Sequence, residues 1–369
     1  MVNPIIFGCE SLALTPSERS FFKGFPPMGF ILFKRNCNTK TQVISLINSL
    51  RDLVGEKVPI LIDQEGGRVQ RLSPPIWNTY PPAEVFGLIF NSDKGKAKQL
   101  IKTNYQIIAS ELFELGINVN CAPVIDLIEK RGHSVIGDRA LSSDPKTVGL
   151  LGKAVVEGLE SGGVSGIVKH IPGHGRAEVD SHESLPIIDN CLNDLLSREF
   201  SPFIQLRFAA AAMTGHLLFP KLDQAHPVTF SKKIINDIIR NLIKFEGILL
   251  SDDLSMNALS GSIGDRYKNA LEAGCDVGLH CNGNVQEMEL VAKAYSNYWS
   301  VGLTSNIIVN ENERLLLKQS NIIKTETYNK NLELFVIEGK KWMKNKYGFD
   351  SKWSMSMYAK LFYNKFFDY

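Results

Sequence analysis

The stretch SGIVKHIPGHGRAEVDSHESLP, residues 165–186, gathers Lys169, His170, His174, Asp180 and His182 among Gly166, Gly173 and Gly175. Imidazole exchanges protons near neutral pH, and a carboxylate two residues away can orient it and stabilise its charged form. Asp180 and His182 have that spacing. Ile167-Val168 is a short apolar run suited to the end of a buried strand, while Pro172-Gly173 and Gly175 break any regular element. Titratable groups on a glycine-rich loop just past a strand mark a candidate active site.

More charged and polar groups follow other apolar runs. Residues 63–71 read Asp-Gln-Glu-Gly-Gly-Arg-Val-Gln-Arg. Pro123, Asp126 and Gly137-Asp138-Arg139 come after a fourth run, His216 after a sixth, Ser251-Asp252-Asp253 after a seventh, and His280 and Asn282 after an eighth. The runs themselves read as strands at 4–8, 29–33, 58–62, 117–120, 166–168, 210–214, 247–250 and 276–279. Helical periodicity fills the gaps at 39–54, 96–115, 145–161, 193–207, 231–244 and 266–273. Thr15-Pro16 opens a further helix with a capping residue and a first-turn proline. Eight strands alternating with helices predict an α/β fold, a closed (β/α)8 TIM barrel. The glycine fingerprint GxGxxG that an open dinucleotide-binding sheet carries after its first strand is absent. In a barrel, all these polar groups lie at the C-terminal ends of strands, the face on which barrel enzymes work.

At 369 residues and 44% hydrophobic content, the chain can bury one large core. Forty-one basic against 39 acidic residues leave a net charge of +2, which gives no field that demands nucleic acid or an acidic surface. No run approaches a membrane span, and the first residues lack the basic start and apolar core of a signal peptide. The six cysteines are scattered and form no CxxC. The expectation is a cytoplasmic, monomeric enzyme without an integral membrane segment. Residues 1–299 form the catalytic barrel in this reading. Residues 300–369, rich in lysine and aromatic residues towards the end, form a helical C-terminal extension packed on it.

Eight stretches together resemble glycoside hydrolase family 3 in its bacterial β-N-acetylglucosaminidase (β-hexosaminidase) branch. They are GFILFKRN (29–36), LIDQEGGRVQRL (61–72), NVNCAPVIDL (118–127), IGDRALSSDP (136–145), GIVKHIPGHGRAEVDSHESLP (166–186), MTGHLLFP (213–220), GILLSDDLSM (247–256) and AGCDVGLHCN (273–282). The KH-x-PGHG…DSH motif is specific to this branch. Ile171 stands where the family has Phe, and Ala140-Leu141 where it has Ser-Phe.

The resemblance implies a retaining exo-β-N-acetylglucosaminidase that removes terminal GlcNAc, with anhydromuropeptides of peptidoglycan recycling as the substrate class. It implies Asp252 as the nucleophile that forms a glycosyl ester, and His182, held by Asp180, as the acid and base. Strand geometry points neighbours to opposite faces, so one of Asp252 and Asp253 faces the sugar, and sequence physics leaves open which. Asp63, Arg71, Arg139, Lys169 and His170 match positions that hydrogen-bond the sugar. Lys169 and Asp63 also fit a structural ion pair, and His174 and His216 read as supporting groups. No cofactor is expected. Three other chemistries fit the same residues: a metal-dependent hydrolase with His170, His174, His182 and Asp252 as ligands, a GlcNAc phosphorylase, and a sugar-binding barrel without catalysis.

Overall fold

The computed structural model describes residues 2–129 and 132–300, with side chains to 297. Eight parallel strands close into a barrel: β1 (Asn3–Gly8), β2 (Pro27–Leu32), β3 (Ile60–Ile62), β4 (Val119–Asn120), β5 (Ser165–Ile171), β6 (Ala211–Thr214), β7 (Ile248–Asp253) and β8 (Val277–His280). Each pairs with its sequence neighbours, and β8 returns to β1 with Ile5 opposite Gly278. The expected TIM barrel is the observed fold.

Period-two alternation divides the apolar residues into two layers. Ile6, Ile31, Leu61, Val119, Ile167, Met213, Leu250 and Leu279 belong to the small cluster that fills the barrel interior. Their neighbours Ile5, Phe7, Phe30, Ile60, Ile62 and Leu249 belong to the larger cluster between strands and helices. Both faces are buried, so the strands read as continuous apolar runs.

The surrounding helices are α1 (Pro16–Gly24), α2 (Lys40–Val54), α3 (Ala83–Ser92), α4 (Lys94–Glu114), α5 (Pro145–Ser161), α6 (Leu192–Ser197), α7 (Ser201–Gln205), α8 (Ile263–Ala273) and α9 (Val285–Ser300). Local chemistry starts them: Thr15 and Glu18 close a capping box on α1, Thr39 caps α2, and Asp144 caps α5 ahead of Pro145. α2 buries Val43, Leu46, Ile47 and Leu50, the face its periodicity predicts.

Four elements differ from expectation. The single helix at 193–207 is two short ones, because Pro202 has no N–H to continue a ladder and instead opens α7. The 231–244 helix is wound as a π-helix over Ile234–Leu242, with the Ile243 N–H reaching back five residues to the Ile238 carbonyl. Helices α3 and α9 have no counterpart in the sequence expectation. The 300–369 extension lies outside the described residues apart from Ser300, which ends α9.

Candidate active site

Strands β3 and β5 build the floor of a cavity at the C-terminal mouth of the barrel. Its volume is about 290 Å³. Asp63 follows β3 directly, and Gln64 behind it locks the next turn. The Gln64 backbone exchanges 3.0 Å hydrogen bonds with the Asn120 amide, and its side-chain oxygen accepts from the Arg71 and Leu72 N–H groups. Gly66 and Gly67 turn the chain at φ +95° and +56°, and a Cβ at Gly66 would sit 2.5 Å from the Pro81 carbonyl oxygen. These glycines serve packing on residues 80–82; contact with a ligand is not what requires them.

Five charges alternate across the floor. Lys169 Nζ lies 2.7 Å from Asp63 Oδ1 and 2.7 Å from Glu65 Oε1. Arg71 donates to Asp63 at 2.8 Å, and Arg139 forks onto both Glu65 oxygens at 2.8 Å. Burial pushes the Asp63 carboxyl up, but Lys169 and Arg71 outweigh it and hold it well below the carboxylate range. Glu65 is likewise buried, and Arg139 and Lys169 hold it down to about 2. Burial opposes the Lys169 charge, yet Asp63 and Glu65 keep it firmly protonated. The Lys169–Asp63 ion pair is therefore present, and Glu65 extends it to Arg139. Buried charges are tolerable when paired and hydrogen-bonded in this way.

Beside this row, His170 Nδ1 lies 2.6 Å from Asp126, whose other oxygen accepts the His174 N–H at 2.7 Å. The β5–β6 pairing slips between Lys169 and Ile171, and such an irregularity re-aims side chains; both Lys169 and His170 line the cavity. Burial and the neighbouring His170 push His174 down to about 4, so it is neutral at pH 7. Its Nε2 lies 3.3 Å from Ser181 Oγ, and its Nδ1 has no partner among the described residues. His216 is also buried, between Thr229 Oγ1 at 2.7 Å and the Asp253 carbonyl at 3.0 Å. Both are supporting groups, though His174 also reaches the cavity wall.

At the end of β7 the two aspartates differ in what claims their oxygens. Asp253 Oδ1 accepts from the Ser255 and Cys281 N–H groups, and Oδ2 from Ser255 Oγ at 2.7 Å. Asp252 accepts one hydrogen bond among the described residues, from the Asp253 N–H at 2.8 Å. Burial raises the Asp252 pKa, and His170, His216, that N–H and Lys169 together overcome it, so Asp252 is ionised. An ionised carboxylate with a free oxygen on a cavity can attack an electrophilic carbon or bind a cation.

The fourth wall is the loop after β5. His182 Nδ1 lies 2.8 Å from Asp180 Oδ1, and its ring is exposed at the cavity rim. The His182 N–H bonds the same oxygen at 2.9 Å, which fixes the ring's orientation from two sides. Burial pushes the half-buried Asp180 carboxyl up, but the His182 hydrogen bonds and charge outweigh it and hold it low. Val69, Val135, Ile136 and Met256 give the rim an apolar lip. Arg68 pins that lip: it donates to Asp138 at 2.9 Å and to the carbonyls of Ser134, Val135 and Ile136.

The structure thus brings Asp63, Arg71, Arg139, Lys169, His170, Asp180, His182 and Asp252 onto one cavity. Glu65, Asp126 and Ser181 were not assigned roles from sequence, since each acts through partners more than five residues away. His280 and Asn282 share Glu287 and lie off the cavity. No three His, Cys, Asp or Glu side chains among the described residues are arranged to hold a metal ion.

The sequence and the fold are similar to those of known proteins. The glycosyl hydrolase family 3 N-terminal domain model matches residues 26–316. A β-hexosaminidase of Thiobacillus denitrificans is 38% identical over 296 residues, 79% of this chain and 82% of that protein. NagZ from Neisseria gonorrhoeae, solved with N-trifluoroacetyl-D-glucosamine, superposes with a TM-score of 0.80 at 28% identity, covering 90% of this chain and 96% of that one. A family 3 β-N-acetylglucosaminidase from Paenibacillus sp. FPU-7 superposes at 0.79 and 28% identity, covering 90% and 66%. The chain belongs to glycosyl hydrolase family 3 and is a glycoside hydrolase.

Proposed function

We propose that this enzyme is a retaining exo-β-N-acetylglucosaminidase with Asp252 as nucleophile and His182, held by Asp180, as acid and base. The observation that carries the reading is the contrast at the end of β7: Asp253 is spent on Ser255 and Cys281, while ionised Asp252 keeps an oxygen free on the cavity. Asp252 attacks the anomeric carbon as the glycosidic C–O bond breaks, and the leaving oxygen takes the His182 proton. His182 then removes a proton from water, which attacks the glycosyl ester, releases the sugar and restores Asp252. Asp63, Arg71, Arg139, Lys169 and His170 hold the sugar's polar groups by charge-assisted hydrogen bonds.

A cavity of about 290 Å³ is at the small end of ligand pockets, which suits one terminal sugar. The NagZ complex with N-trifluoroacetyl-D-glucosamine supports an N-acylated glucosamine there. The substrate class is GlcNAc glycosides, with muropeptides of peptidoglycan recycling as the cellular source. All six cysteines are unpaired, which suits the reducing cytoplasm. Among the described residues no helix is long and apolar enough to cross a membrane.

A panel of 4-nitrophenyl β-glycosides of GlcNAc, GalNAc, glucose and xylose tests the proposal. Preference for the GlcNAc glycoside, with β-GlcNAc as the first-formed product, is the expected result. Rapid release from glucose or xylose glycosides instead, or GlcNAc-1-phosphate formation when phosphate is added, would overturn it.

A further inference from the structure

The dyad depends on a loop, and the way that loop is fastened singles out one residue that does not touch the cavity. The backbone holds the loop at several points. Gly173 N–H bonds the His170 carbonyl at 2.8 Å, the Ala177 carbonyl accepts from His133 at 2.6 Å, and the Ser181 carbonyl accepts from Ala258 at 3.2 Å. Further on, Pro186 and Ile188 exchange hydrogen bonds with Leu218. Between these ties, Glu178 and Val179 are exposed, directly before Asp180.

Arg176, four residues before Asp180, points the other way. Its Nε donates to Glu199 Oε1 at 2.7 Å, Nη1 to Asp194 Oδ2 at 2.6 Å and Nη2 to Asp194 Oδ1 at 3.2 Å. Asn190 donates to the same Asp194 at 2.8 Å, which steadies the acceptor. Glu199 is fully buried, and its Oε2 has no partner among the described residues. The root of the loop rests on it: a Cβ at Gly173 would lie 2.7 Å from the Glu199 Cβ.

A solvent-exposed ion pair holds little, but this fork is different. Withdrawing the guanidinium would strand a buried carboxylate that has one unpaired oxygen already, so the fork is held in place by the penalty for leaving. Its rigid geometry also fixes direction as well as distance. The loop is thus tied on its outer side to the start of α6 and to the segment before α7, while its inner side presents Asp180 and His182.

We propose that Arg176 is a positioning residue for the acid and base: its fork on Asp194 and Glu199 sets where His182 stands over the cavity. This rests on the reading of His182 as the proton donor.

The test uses the full-length enzyme and two β-GlcNAc glycosides, one with 4-nitrophenol and one with methanol as aglycone. Arg176→Ala, Arg176→Lys and Asp194→Ala are each made alone and with His182→Ala. Misplacing a proton donor penalises the poor leaving group, so Arg176→Ala should lower kcat on the methyl glycoside about tenfold more than on the nitrophenyl one. Asp194→Ala should show a smaller selective loss, and Arg176→Lys should recover part of it. With His182 already removed, none of these should change the ratio, because residues acting through one group are not additive. Asp194→Ala keeps Glu199 paired, so it carries the test even where Arg176→Ala does not fold. Equal losses on both aglycones, or a selective loss that persists without His182, would overturn the proposal. A His182→Ala enzyme with no aglycone dependence would instead remove the dyad reading, and this proposal with it.

Discussion

Glu65 is the acid whose replacement should tell most about the cavity floor. It bonds Lys169 at 2.7 Å and both nitrogens of the Arg139 fork at 2.8 Å, and it is buried. Glu65→Gln keeps the shape and removes the charge, leaving Arg139 without a carboxylate and Lys169 with Asp63 alone. In the folded protein Glu65 is held to about 2 against an ordinary 4.5. At 1.36 kcal/mol per pKa unit, that difference amounts to about 3 kcal/mol. Breaking a buried ion pair from one side costs about 3–5 kcal/mol, so two independent routes agree in scale.

The pH dependence gives the sharper check. A depressed folded pKa means the stabilisation is complete above the unfolded value, near 4.5, and is lost as pH falls towards 2. Thermal unfolding of Glu65→Gln at pH 7 should therefore lie roughly 5–10 °C below the parent. Between pH 4.5 and 3 the gap should narrow by about 1.4 kcal/mol per pH unit, because the unfolded parent protonates Glu65 while the folded parent keeps it ionised, and the variant has nothing to protonate in either state. kcat/KM on a GlcNAc glycoside should fall as well, since Lys169 and Arg139 lose their fixed positions. A variant that melts within 1 °C of the parent at pH 7, or a gap that stays constant down to pH 3, would refute the charge-row argument.

Replacing Asp252 by Asn should lower turnover by roughly three orders of magnitude or more, and an activated fluoro sugar should label the peptide at Asp252. Asp253→Asn should mainly weaken the turn at Ser255 and Cys281 and lower Tm by a few degrees; label on Asp253 would reverse the two roles. His182→Ala should spare 4-nitrophenyl glycosides relative to alkyl ones, azide should rescue the second step, and Asp180→Ala should be milder; equal impairment on both aglycones counts against acid catalysis. Dialysis against EDTA should leave activity unchanged, and stoichiometric zinc whose removal abolishes turnover would sink that expectation.

Strand and helix order was legible because the barrel buries both faces of each strand, leaving runs such as Ile5-Ile6-Phe7 and Ile60-Leu61-Ile62 with no polar interruption. What escaped depended on tertiary context. The isoleucines 234, 235, 238 and 239 have ordinary helical spacing, so nothing local announces a π-helix. Pro202 was visible, but a proline in the first turn of one helix and a proline inside another look alike until the break at Arg198 is seen.

Within the site, residue type was legible and allegiance was not. An aspartate's chemistry is decided by what competes for its oxygens, and for Asp253 one competitor is Cys281, on the far side of α8 in the chain. Before that bond is known, Asp252 and Asp253 are interchangeable; after it, one is spent and the other is free. Glu65 was passed over for the converse reason. Its neighbours in DQEGGR suggest a turn, whereas its partners Lys169 and Arg139 come from β5 and from the loop after β4. Arg176 resembles any loop arginine until Glu199, buried beneath the loop, is seen to depend on it. Charge pairing over such separations leaves no periodic trace, so motif reading finds the groups proposed to meet the sugar and misses those that hold them still.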